Sequence, residues 1–141
     1  MHPRRMAGGR RLALVGALVA IVGCFLPWFS VGGQAGELTA VVIMAFQRPQ
    51  GLAVLLASLA TLALLALPFA MHPRHVSLDR GLSFGILATI AIVALVLFAL
   101  EVSPMPQGLL PTAAYGYWIS VVGAIMMGRA AFEVSREPVR R

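Results

Sequence analysis

The sequence predicts an all-α membrane protein, namely a four-helix transmembrane bundle with both termini in the cytoplasm and a short outer segment between helices 1 and 2. Of the 141 residues, 60% are hydrophobic and only 11% are charged, whereas about a quarter of the residues of soluble proteins are charged. Four long runs lack charge, and the arginines lie between them on alternate sides. We therefore expect one integral membrane domain over residues 1–141.

The four uncharged runs each reach the roughly 20 residues that a helix needs to cross about 30 Å of hydrocarbon. Helices are favoured over barrel strands because the runs are apolar all round, whereas barrel strands alternate polar and apolar residues. The sequence predicts helices over about residues 12–29, 51–71, 81–100 and 113–132.

The first helix is expected to end at Phe29, shortly after Pro27, whose ring removes a backbone donor. A turn rich in glycine follows, and residues 38–46 are then apolar but only nine residues long, too short to span a bilayer. A strand and an interfacial helix both remain possible for this segment, and its β-branched residues slightly favour the strand.

Segment 38–46 is the first candidate functional surface. At about 25 cal/mol per Å² of apolar surface, its exposure to water would be costly. We expect it to meet the headgroup layer, the outer ends of the helices or another protein. The candidate partner-docking residues are Leu38, Val41, Val42, Ile43 and Phe46.

Arginine supplies all eleven basic side chains, since the chain contains no lysine. With the N-terminus inside, ten arginines are cytoplasmic and only Arg48 is outside, which is a strong positive-inside signal. Their simplest role is to set topology and touch anionic headgroups, so a nucleic-acid partner is not expected. The cytoplasmic arginines are Arg4, Arg5, Arg10, Arg11, Arg74, Arg80, Arg129, Arg136, Arg140 and Arg141.

Aromatic side chains collect near the predicted outer boundary, where amphipathic rings favour the headgroup region. Trp28, Tyr115, Tyr117 and Trp118 are therefore expected to anchor the outer interface.

Small residues recur at helical spacing on two of the predicted helices, where they let backbones approach closely in lipid. They indicate packing between helices within the chain, or alternatively a seam with a second copy or a partner helix. These helix-packing residues are Gly16, Ala20 and Gly23 on the first helix and Gly116, Ser120 and Gly123 on the fourth.

Residues suited to chemistry are sparse. No catalytic motif is present, and no ionisable residue lies at the middle of a predicted span, so we expect no catalytic residue, metal or cofactor. His72 and His75 lack the third ligand that a zinc site needs, and Glu101 is expected at the water interface. Residues 21–24 resemble a lipobox, but the apolar run continues beyond Cys24, and we expect this cysteine not to be lipidated.

The segment Gly23-Cys24-Phe25-Leu26-Pro27-Trp28, followed by a glycine-containing outer loop and three further spans, resembles a loose set of small, uncharacterised bacterial four-helix transmembrane proteins. The resemblance implies a fold and no catalytic residues. A tryptophan after the first span is also similar to the arrangement in claudins, whose paired loop cysteines this chain lacks.

These features favour a non-enzymatic integral membrane protein, an accessory or interaction subunit of a membrane complex whose partner is another membrane protein or a second copy. The lipid bilayer that surrounds it is expected to be the bacterial cytoplasmic membrane. Two alternatives remain open, a small oligomeric transporter or channel and a membrane enzyme without a recognisable motif. For transport, the spans offer only the hydroxyls of Ser58, Thr61, Ser83, Thr89 and Ser120.

Overall fold

Four helices and a two-stranded sheet make up the parts of the chain that the computed structural model describes, which are residues 8–31, 41–70, 80–104 and 114–136. The helices are α1 (Gly8–Phe25), α2 (Pro49–Ala70), α3 (Arg80–Val102) and α4 (Tyr115–Ser135). Between α1 and α2 lie β1 (Pro27–Val31), β2 (Val41–Met44) and a short 3-10 helix (Ala45–Gln47).

Three of these helices are long and apolar enough to cross a membrane, over Pro49–Leu67, Gly81–Val102 and Tyr115–Ser135. The chain is therefore a membrane protein. In α1 the uncharged part runs only from Leu12 to Phe25, which is about 21 Å of helix against about 30 Å of hydrocarbon.

Each helix packs against two others, α1 against α2 and α4, and α3 against α2 and α4. Neighbours are antiparallel, because Glu101 near the end of α3 pairs with Arg48 just before α2, and Gly9 near the start of α1 lies against Glu133 near the end of α4. One end of the helical body therefore carries β1 and β2, and we call it the strand end. The other, the arginine end, holds the first turns of α1 and α3 and the last turn of α4.

The largest buried cluster lies towards the strand end and contains Trp28, Phe98 and Tyr117. A smaller cluster around Phe84 and Leu65 fills the arginine end. Large apolar side chains elsewhere on the helices, such as Leu56 and Leu100, point outward and are exposed. Outward-facing apolar residues are what a helix surrounded by lipid requires.

The predicted end of the first helix was wrong. The helix ends at Phe25 and not at Phe29, and the chain continues as β1. Pro27 cannot donate a backbone hydrogen bond to the carbonyl four residues earlier, so the helical pattern cannot continue through it. An apolar run alone does not distinguish a helix from a buried strand.

Within segment 38–46, for which the sequence left a strand and an interfacial helix open, Val41–Met44 form the strand β2. β2 pairs antiparallel with β1 in a register that sets Phe29 opposite Ile43 and Ser30 opposite Val42, with an irregularity between Pro27 and Phe29. The 3-10 helix follows at once and leads into α2. The described part of segment 38–46 is thus a strand and one helical turn, attached to the helical body by its pairing with β1.

Candidate docking surface

The carbonyl group of Gly23 fixes the direction in which the chain leaves α1. In a continuous helix this carbonyl would accept a hydrogen bond from the backbone N–H of residue 27, but Pro27 has no N–H. Instead the backbone N–H of Leu26 donates to it at 3.2 Å, and the indole Nε1–H of Trp28 donates at 3.1 Å. The indole thus compensates for the proline, so the fused ring is held against the last turn of α1.

Trp28 is also the centre of an aromatic cluster that links β1 to α3 and α4. Its ring lies edge-on to Phe98 with 5.0 Å between the centroids, and edge-on to Tyr117 at 5.6 Å. The Tyr117 hydroxyl donates to the backbone carbonyl of Leu95 at 3.0 Å. Edge-to-face rings attract one another beyond the area that they bury, so β1 is attached to two helices besides its own.

This cluster corrects the prediction that four aromatic rings anchor the outer interface. Trp28 is fully buried, and Tyr117 is buried too, so neither ring faces a headgroup layer. Tyr115 and Trp118 are exposed at the start of α4 and remain candidates for that role. The sequence placed all four rings at one end of the helices but carried no signal for which of them point inward.

In contrast to β1, β2 and the 3-10 helix present apolar side chains to the surroundings. Val41 is 60% exposed, Val42 43% and Phe46 45%, while Ile43 is half-buried. Leu38, the remaining docking candidate, lies outside the described residues. We use the name cap face for the exposed side chains of Val41, Val42 and Phe46 taken together, although Val41 and Val42 are successive strand residues and project to opposite sides of the strand.

The 3-10 helix beneath the cap face packs closely against the start of α2. Ala45, the first residue of the 3-10 helix, is fully buried, and a Cβ at Gly51 would overlap its backbone. The backbone N–H of Met44 donates to Oε1 of Gln47 at 2.9 Å, which closes the turn. Backbone contact this close needs glycine in α2, so the 3-10 helix that carries Phe46 packs directly against α2.

Beside the cap face, an ion pair joins the start of α2 to the end of α3. Nη1 of Arg48 lies 2.7 Å from Oε1 of Glu101, and Nε2 of Gln50 donates to the other carboxylate oxygen at 2.9 Å. The sequence placed Arg48 and Glu101 at the same outer boundary, but 53 residues separate them and nothing in the sequence indicated that they pair.

The six predicted helix-packing residues meet along one contact, which we call the α1–α4 seam. All six are buried. A Cβ at Gly23 would overlap Oγ of Ser120, and one at Gly123 would stand 2.5 Å from the backbone nitrogen of Ala20. The seam thus packs backbone against backbone within one chain. Its members are Gly16, Ala20, Gly23, Gly116, Ser120 and Gly123.

Two other predictions concern metal binding by His72 and His75 and lipidation of Cys24. His72 and His75 lie outside the described residues. Within the described ranges, no three His, Cys, Asp or Glu side chains are grouped so that they could hold a metal ion. Cys24 is buried in α1. Among the described residues, the cap face is the surface whose exposure the packing of the helices does not explain.

Comparisons with protein families, curated proteins and solved structures found no match to this chain. The function must therefore be argued from the geometry of the cap face and the helices beneath it.

Proposed function

We propose that the chain is a non-enzymatic accessory or interaction subunit of a membrane complex, which docks another membrane protein, or a second copy of itself, through the cap face. In this proposal the four helices form a transmembrane bundle in the bacterial cytoplasmic membrane, with both termini inside and the strand end outside.

The observation that carries the proposal is the contrast between the two strands. β1 buries its large side chains, Trp28 and Phe29, in the helical body, whereas β2 and the following turn leave Val41, Val42 and Phe46 exposed. A strand needs no outward apolar side chains to pair with its neighbour, and rigid apolar surface at the edge of a membrane is typical of interaction sites.

The distribution of arginine supports the orientation. Arg10, Arg11, Arg129 and Arg136 lie at or near the arginine end. Arg129 there pairs with Glu133, and Arg48 at the strand end is neutralised by Glu101. Uncompensated positive charge is thus concentrated at one end among the described residues, which the positive-inside rule assigns to the cytoplasm.

No observation favours the transporter or channel. Ser58 and Thr61 each donate to the backbone carbonyl four residues earlier, at 2.8 and 2.9 Å, and Ser120 donates to the carbonyl of Ala20 at 3.4 Å. Hydroxyls that bind helix backbone in this way are satisfied without water or substrate. These three do not line a polar path in the part of the chain that the structure describes.

The orientation is tested with reporter fusions. Fusions after residue 141 and within 72–78 are expected to report a cytoplasmic location, and a fusion within 103–109 a location across the membrane. A reporter that is active across the membrane when fused after residue 141 would exclude this topology.

Docking is tested by photo-crosslinking in native membranes. A photoreactive phenylalanine analogue at position 42 is expected to give an adduct with a second protein chain, and Val41→Asp is expected to abolish it, because a carboxylate in an apolar contact is costly to desolvate. The matched control is the same analogue at position 22, because Val22 is exposed on α1 and should react with lipid. Lipid adducts alone at position 42 would refute the docking function.

A further inference from the structure

A long groove runs along the outside of α3 and α4 from the arginine end towards the middle of the helices. Its volume is about 750 Å³. Five small residues form part of its lining, Gly81, Gly85 and Ala88 on α3 and Gly128 and Ala131 on α4. A Cβ built on Gly85 would meet no atom within 4 Å. The space in front of Gly85 is therefore open, and a larger side chain there would fill it.

The length of the groove fits one acyl chain. Its lining on α3 runs from Gly81 to Ile92, eleven residue steps or about 16 Å, which matches half of a hydrocarbon layer about 30 Å thick. An acyl chain of one leaflet covers the same half of the layer, so it can follow the groove over its whole length.

A positive charge stands at the mouth of the groove. Phe132 and Ser135 line its end on α4, and the Arg136 guanidinium lies over the Phe132 ring, 4.1 Å from its centroid. Among the described residues the nearest acid along α4, Glu133, pairs instead with Arg129. The Arg136 guanidinium thus lies against Phe132 at this end of the groove, with no carboxylate partner in the described part of the chain.

From these observations we propose that the α3–α4 groove binds one anionic phospholipid, with an acyl chain along Gly85 and Gly128 and the phosphate against Arg136. A basic site between transmembrane helices is a known way to hold anionic headgroups. The site lies at the arginine end, so it is independent of docking through the cap face.

The test is native mass spectrometry of the full chain in detergent with added dioleoyl phosphatidylglycerol, dioleoyl phosphatidylcholine or inorganic phosphate. We expect one phosphatidylglycerol to bind, more tightly than phosphatidylcholine, and phosphate alone not to compete. Arg136→Gln should weaken phosphatidylglycerol binding about fivefold, the factor expected for one basic residue at the membrane surface. Gly85→Leu, which fills the groove, should reduce binding of both lipids.

Arg129→Gln is the matched control, because Arg129 is an exposed arginine about two turns earlier on α4 that does not line the groove. It should change binding less than twofold. Equal losses for Arg129→Gln and Arg136→Gln would show only general attraction to a basic surface and would overturn the site. A dimer in the wild-type spectra that Gly85→Leu dissociates would assign the groove to a second copy instead. Competition by inorganic phosphate would likewise contradict a site built around an acyl chain.

Discussion

The α1–α4 seam and the α3–α4 groove both present glycines between neighbouring helices, but they differ in what stands in front of those glycines. In the seam, a Cβ at Gly123 would be 2.5 Å from one backbone atom and 2.7 Å from another. In the middle of the groove, a Cβ at Gly85 would meet nothing within 4 Å, and one at Gly128 would touch only the end of Ile92 at 3.7 Å, whereas Gly81 at the arginine end of the groove lies close to Ser135.

The difference shows that glycine serves two purposes in these helices. In the seam it permits backbone contact between α1 and α4, the closest approach available to two helices in lipid. In the groove it leaves space, although glycine inside a helix is destabilising by roughly 0.5–1 kcal/mol relative to alanine. An arrangement that costs stability without gaining contact is explained if another molecule occupies the space.

The largest effect that separates the two regions is expected from leucine substitution. Gly123→Leu should lower the free energy of unfolding by about 1–3 kcal/mol or more, since backbone on the facing helix must move to admit the side chain. Gly85→Leu, its counterpart in the groove, should leave the fold intact. Thermal unfolding of both variants in one detergent, followed by circular dichroism, measures this. Equal destabilisation would mean that the groove is closed.

The next largest effect on stability is expected at the strand end of the seam, where the Trp28 indole donates a hydrogen bond to the Gly23 carbonyl. Trp28→Phe should lower stability by about 1 kcal/mol or more, because it removes the indole donor that replaces the missing proline N–H and leaves part of a fully buried ring site empty. Tyr115→Phe, which removes a polar group from an exposed ring, should change stability by less than about 0.5 kcal/mol. A neutral Trp28→Phe variant would contradict the role of the indole in holding β1.

The smallest effect on stability is expected for the ion pair between Arg48, just before α2, and Glu101, at the end of α3. The side chains of Arg48 and Glu101 are 38% and 40% exposed, so solvent screens the pair and its coupling should be about 0.2–1 kcal/mol. A double-mutant cycle with Arg48→Gln and Glu101→Gln measures the coupling, which should fall as salt is raised. The Arg129–Glu133 pair within α4 is the reference. Coupling that does not respond to salt would contradict the exposed geometry.

Much of the helical architecture could be predicted from the sequence, because lipid imposes a length and a composition on each spanning helix. The predicted ranges 51–71, 81–100 and 113–132 differ from α2, α3 and α4 by at most three residues at either end. The small residues of the seam could be predicted as well, since close helix contacts select for them. Four spans and the orientation remain predictions.

The strand end could not be predicted in the same way. An apolar run that contains Pro27 is compatible with a helix end or a strand, and only the pairing with β2 decides between them. Whether Trp28 faces lipid or the core depends on Phe98 and Tyr117, which lie far away in the sequence. The pairing of Arg48 with Glu101 and the open groove likewise depend on how separate helices meet.

The contrast between a closed seam and an open groove is tested most directly by adding one methyl group to each. Gly123→Ala should lower the melting temperature, because its Cβ would stand 2.5 Å from the backbone of α1. Gly85→Ala should raise it, because alanine stabilises the helix relative to glycine and nothing obstructs the methyl group. Measured side by side in the same detergent, shifts of opposite sign are the predicted result, and shifts of the same sign would contradict it.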